Sequence, residues 1–260
     1  MKSTSTVTMG LPQLDIYTLS EDWALAIGLE RTWLLLAESM GRKPSEWLDG
    51  QGERMYGAVM ALSTRFDLVD IIHEDDVVTV EAEIVSIRKP HAWACVRFSV
   101  GGKVKAEVRL LTSFIKRVQA SSNKKFSKVR DVWQAADFNG DVIDNLLAQH
   151  HTAKFEAVAG KPAMDYEVNR IQDFNTADFL YFKNFVRIAK AAEWRENRGR
   201  PTRLNTERLC FYFGNVEDGE SMKAFVERQG NQTHTVLEDV DGRRLFFSRA
   251  KTPLVQIAPR

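Results

Sequence analysis

Asp173, Phe174 and Asn175 stand directly before an apolar run, Phe179, Leu180, Tyr181, Phe182 and Phe185. Asp and Asn side chains accept the N–H groups left unbonded in a helix's first turn, so the spacing predicts a capped helix over Ala177–Trp194. A helix apolar nearly all the way round is buried rather than laid on a surface. Its N-terminus presents open N–H groups and a partial positive charge. Such a terminus polarises a carbonyl and holds the oxyanion that forms from it. Asn175 would add a side-chain donor, and Asp173 would act as base or orient another group. Plain capping, which needs no chemistry, uses the same residues. The tripeptide recurs at Asp137–Asn139 before a polar amphipathic segment, so it does not mark a site by itself.

Tyr56 lies in a predicted strand, where a core or edge tyrosine is the ordinary reading. A phenol titrates at about pH 10 and is a weak nucleophile at neutral pH without a nearby base or cation. Arg54 and His73 are the closest such groups in sequence. The five histidines, His73, His91, His150, His151 and His234, show no HxxxH or HExxH spacing. His73 and His234 read as surface histidines that can reach a cleft. Cys95 and Cys210 sit alone in strand-like segments and read as buried, reduced thiols. The glycine-rich stretch Gly50–Gly57 lacks the strand before and helix after that make a phosphate loop, and reads as a turn. No GxSxG occurs, which argues against an α/β-hydrolase triad.

The elements that must position these residues are written twice. The chain has 260 residues, 44% hydrophobic and 27% charged, enough for one large domain or two of about 120 residues. In the first half, "TLSEDWALAIGLERTWLLLAESMG" predicts a helix over Leu19–Met40, with Thr18 and Glu21 in capping-box spacing, a break at Gly28 and a stop at Gly41. Strand-like segments follow, with a turn at His73–Asp76 and a Gly101–Gly102 hairpin. The second half repeats that order: a helix, a turn at Glu217–Glu220, and a hairpin at Asp241–Gly242. Each hairpin glycine is followed ten residues later by a threonine, Thr112 and Thr252. One apolar helix followed by four or five antiparallel strands is the pattern of a sheet wrapped round a helix. Two such units predict an α+β double hot dog, residues 10–117 and 161–256.

Residues 118–160 between them read as a linker, with a short amphipathic helix in Asp141–Phe155. Lys116, Arg117, Lys124, Lys125, Lys128 and Arg130 make its start basic, fit for phosphates or an acidic partner helix, or simply for water. The net charge of +1 gives no field to recruit nucleic acid. No apolar run approaches the roughly 20 residues of a membrane span. "MKSTSTVTMG" lacks a signal peptide's apolar core and reads as a frayed tail on a cytoplasmic protein.

Taken together, "LSEDW", "GERMYGAV" and "DFNTADFLYF" resemble the leinamycin-type bifunctional acyltransferase/decarboxylases, double-hot-dog proteins of polyketide biosynthesis, over roughly Leu19–Thr252. The resemblance implies acyl groups carried on coenzyme A or on the phosphopantetheine of an acyl carrier protein. It implies catalytic roles for Tyr56, Asp173 and Asn175, with Phe174, Thr176 and His73 lining the substrate. It requires no metal or other cofactor and leaves open whether the protein is a homodimer. Thr176 stands where the pattern has glycine, and Lys183 and Asn184 stand where it has small residues. A thioesterase or dehydratase on the same fold, or a carrier-binding scaffold without catalysis, stays open beside it.

Overall fold

A computed structural model describes residues 1–119, 122–129, 132, 137–198 and 205–252. The chain divides into two compact units, Met1–Lys116 with Lys128–Leu147, and Arg117–Ser127 with Ala148 onward. The expected linker is therefore shared out between them.

The first unit opens with strand β1 (Lys2–Thr8), followed by helix α1 (Glu21–Met40) and strands β2 (Tyr56–Phe66), β3 (Val77–Arg88), β4 (His91–Val100) and β5 (Lys103–Arg117). The strands pair antiparallel in the order β1-β3-β4-β5-β2. The expected frayed tail is thus a strand. Alternating Ser, Thr and Val suits a half-covered edge, and Lys2 opposite Glu83 through Thr8 opposite Val77 fixes the register. Helix α1 packs on β3 and β4. It runs through Gly28 without a break. A Cβ there would lie 3.0 Å from Val108, so the glycine lets the helix approach the sheet closely. The cap is Ser20, whose Oγ accepts the Trp23 N–H, rather than Thr18. Thr18 instead accepts the Ile72 N–H, and Glu21 accepts from Thr64. Gly41, left-handed at φ 62°, ends the helix as expected.

A short strand β6 (Phe126–Lys128) and helix α2 (Gly140–Ala153) lie within the connection. The second unit contains β7 (Met164–Glu167), the one-turn helix α3 (Arg170–Asp173), helix α4 (Phe182–Glu196), and strands β8 (Glu207–Tyr212), β9 (Ser221–Gln229), β10 (Gln232–Asp239) and β11 (Arg244–Lys251). These strands pair antiparallel in the order β8-β11-β10-β9-β7, and α4 packs on β9 and β10. Phe185, Val186, Ile188 and Ala189 are buried against them, while Lys190 faces outward. A buried ion pair pins the far end of α4. Arg208 bonds both Glu193 oxygens at 2.7 and 3.0 Å, and Thr235 donates to the same carboxylate. Each unit is a helix laid on an antiparallel sheet, and the fold is the double hot dog.

Both hairpins form where expected, with Gly101, Gly102 and Gly242 at positive φ. Thr112 and Thr252 are both buried. Cys95 and Cys210 are buried thiols, and burial, reinforced by Glu107, pushes Cys95 up to about 11.

Candidate functional site

Asn169 starts α3 by accepting the Ile171 N–H on its side chain. The helix ends one turn later at Asp173, so Asp173 closes a short helix and does not cap the long one. Its side chain is 0% exposed. The carboxylate accepts the Asn169 N–H at 2.9 Å, the Tyr166 hydroxyl at 3.0 and 3.1 Å, and Arg187 at 2.5 Å. Arg187 also donates to the Tyr166 oxygen at 2.8 Å. Partial burial pulls the Arg187 guanidinium down, but Tyr166 and Asp173 outweigh it and hold it above its ordinary value. The Asp173 main-chain carbonyl accepts the Tyr181 N–H and the Asn184 amide at 2.9 and 2.8 Å. Asp173 therefore ties β7, α3 and the start of α4 together.

Phe174 is half-buried and bridges to Leu180. Asn175 then closes a tight turn. Its side-chain oxygen accepts the Ala177 and Phe179 N–H groups at 3.0 and 3.2 Å. With the oxygen committed, anything else that Asn175 side chain binds must be an acceptor. Thr176 is exposed at the turn's tip. Asp178 has φ 60°, and the Arg170 guanidinium on its carboxylate holds it below the usual carboxylate range against partial burial.

Helix α4 begins at Phe182, five residues later than expected, because Phe179–Tyr181 are drawn into the bridge with Phe174 and the Asn215 side chain accepts the Leu180 N–H at 3.0 Å. Its N-cap is Tyr181, which supplies no side-chain cap, and its first turn carries no acidic residue. The helix's positive end is thus left uncompensated by its own cap.

Tyr56 and His73 belong to the first unit. Tyr56 is the half-buried first residue of β2, opposite Ile115, with the Arg54 guanidinium 5.6 Å from its ring centre. His73 is exposed in the turn before β3, its N–H donating to Asp76 at 2.7 Å. That turn lies toward the Phe66 end of β2, where Asp67 bonds to Lys105. Ten strand steps of about 3.3 Å separate it from Tyr56. Arg54 is an ionisable neighbour of the phenol ring. His234 is not a surface histidine: it is 7% exposed, with Nδ1 3.3 Å from Glu156. Burial lowers its pKa against the opposing pull of Glu156.

Three of the basic residues are engaged within the protein, while Lys125 and Lys128 are exposed. Lys116 pairs with Asp49 and Glu53, Lys124 pairs with Glu220, and Arg117 bonds the carbonyls of Ala177 and Asp178. Arg130 lies outside the described residues. Sequence reasoning missed Tyr166 and Arg187. The signal was a charged residue placed mid-helix in an apolar run, four residues after Lys183. Among the described residues, no group of three His, Cys, Asp or Glu is placed to hold a metal, and no helix is long and apolar enough to cross a membrane.

No family model matches the chain, and no curated protein matches its sequence. Solved structures do. The 12:0-ACP thioesterase from Umbellularia californica superposes with TM-score 0.70 at 11% identity, covering 97% of both chains. An acyl-ACP thioesterase from Bacteroides thetaiotaomicron gives 0.67 at 9% identity, over 97% of this chain and 98% of that one. A MaoC-like dehydratase from Phytophthora capsici gives 0.54 at 10% identity, over 97% of this chain and 95% of that one. At such identities the likeness is one of fold, and it spans both hot-dog units.

Proposed function

We propose that the chain is an enzyme of acyl thioesters carried on coenzyme A or on the phosphopantetheine of an acyl carrier protein, and that its reaction is hydrolysis. The observation that carries this reading is the Asn175 turn, which commits the side-chain oxygen and leaves its –NH2 as a donor, a few residues before the N-terminus of α4. Water adds to the thioester carbonyl, and the tetrahedral oxyanion is held by donors of this kind. The C–S bond then breaks, and the thiolate leaves and is protonated. Asp173, fully buried and bonded on both oxygens, orients the turn rather than touching the water. The full-length likeness to two acyl-ACP thioesterases supports the substrate class. The test is a panel of acyl-CoAs and acyl carrier proteins, followed by thiol release and mass spectrometry of the acid. Failure to release thiol from any member removes the reading.

A second reading is favoured by the guanidinium of Arg54 beside Tyr56. Here the chain is an acyltransferase/decarboxylase of a polyketide pathway. The phenolate attacks the thioester, the thiol leaves, and an aryl ester forms. A malonyl-type acyl group loses carbon dioxide to an enolate, which is protonated before the acyl group moves to a carrier thiol. This reading expects an acyl mass on the Tyr56 peptide and none in Tyr56→Phe. An unlabelled wild type discards it.

A further inference from the structure

Resting on the reading that the Asn175 turn carries the chemistry, we propose that Arg117 is its positioning residue, the centre of a clamp that it forms with the strap residues Ser122, Asn123 and Phe126. The Arg117 guanidinium donates to the Ala177 carbonyl at 2.7 Å and the Asp178 carbonyl at 3.2 Å. The same Nη2, together with Nε, donates to the Asn123 side-chain oxygen at 2.8 and 3.2 Å. Asn123, 3% exposed, passes the grip on: its amide donates to the Asp178 carbonyl at 2.6 Å and to Val216 at 3.3 Å. The strap itself is anchored by Glu217, which accepts from the Asn123 N–H at 2.7 Å and from Ser122 at 3.0 Å. Arg117 also lies 4.0 Å over the Phe179 ring, and Phe126 meets that ring edge-on at 5.6 Å.

What is being held explains the effort. Asp178, at φ 60°, is a non-glycine residue in the left-handed region, a conformation that persists only where its surroundings impose it. Its carbonyl is taken by Arg117 and Asn123, and its carboxylate by Arg170. The same turn places the Ala177 and Phe179 N–H groups on Asn175. Fixing the two carbonyls therefore fixes the Asn175 amide. The fork geometry matters. A guanidinium bonds several acceptors in its plane while stacking on a ring, whereas a lysine ammonium is a single point charge on a flexible stem.

The experiment compares wild type with Arg117→Lys, and with Lys124→Gln as a control on the same strap whose ion pair lies away from the turn. Hydrogen exchange of the Ala177 and Phe179 amides reports the clamp directly, whatever the reaction. Kinetics on the thioester that the wild type turns over report its consequence. In Arg117→Lys those two amides should exchange at least about tenfold faster with β9 and β10 unchanged. Turnover should fall up to about 10²-fold, the cost of a misplacement of roughly 1 Å, with KM little altered. Lys124→Gln should move neither. Unchanged exchange in Arg117→Lys overturns the clamp. Faster exchange with unchanged kcat, or a kcat loss no larger than the loss of folded protein, overturns the positioning role. A wild type inactive on every thioester would sink the proposed function instead, and the exchange result would still decide whether Arg117 holds the turn.

Discussion

The two central helices begin in opposite ways. Helix α1 receives a Ser20 cap, and Glu21 and Asp22 in its first turn complement the dipole. Helix α4, starting at Phe182 after Tyr181, has neither, and carries Lys183 where α1 carries acid. The segment before α4 is instead folded round a buried carboxylate and clamped from a distant strap. The first unit uses its helix terminus to stabilise the fold. The second gives its helix neither a side-chain cap nor first-turn acid and spends its polar groups on a turn. That asymmetry, within a repeated architecture, is why the proposed chemistry is assigned to the second unit.

Three changes test the contrast. Asn175→Ala should lower kcat by about 10²–10³, the cost of one lost oxyanion donor, while the melting temperature falls only slightly; steady-state kinetics beside thermal melts measure both. Asp173→Asn should cost stability as well as turnover. Part of the network around Tyr166 and Arg187 is lost, and a buried group left unsatisfied costs about 1–3 kcal/mol. Urea denaturation measures this, and an unchanged midpoint would mean the buried knot holds nothing. Ser20→Ala should cost about 1 kcal/mol and leave turnover alone; slowed catalysis in this variant would erase the distinction between the two termini.

The smallest effect is a pH dependence. Burial depresses the His234 pKa below the ordinary histidine value of about 6.5, so the unfolded chain binds its proton more readily than the folded one. Stability from this group is present above about pH 6.5 and is lost as pH falls through the folded value. His234→Gln should flatten the stability profile on that acid side. A slope identical to wild type would assign it to other groups.

Much of the fold was legible because its signals are local. Gly101–Gly102 and Asp241–Gly242 announce hairpins, and the alternation along β3 announces a half-buried strand. The start of α4 was not legible. Phe179–Phe182 is apolar enough to read as helix, and only the Phe174–Leu180 bridge and the Asn215 contact draw most of it out. Asp173 and Asn175 could be picked out as polar residues before that helix, but their different settings could not. Tyr166, Arg187 and Arg117 reach the turn from a strand, a helix face and a strap 7, 14 and 60 residues away in sequence. The Ser- and Thr-rich β1 was missed for a related reason, since its partner β3 begins some seventy residues later.

That first strand has a practical side. Lying along β3, it presents a mostly Ser and Thr row, with Lys2 at its start, to the outside. Hydroxyls and a lysine make a poor template for another chain, whereas the Val77–Val80 run beneath would make a good one. A protein shortened to begin at Met9 would bare that run's unpaired backbone groups. It should then self-associate through the first unit, with precipitation on storage as the symptom, before any loss of fold is measurable. A bulky fusion joined directly ahead of Lys2 invites the same outcome by prying the guard strand away.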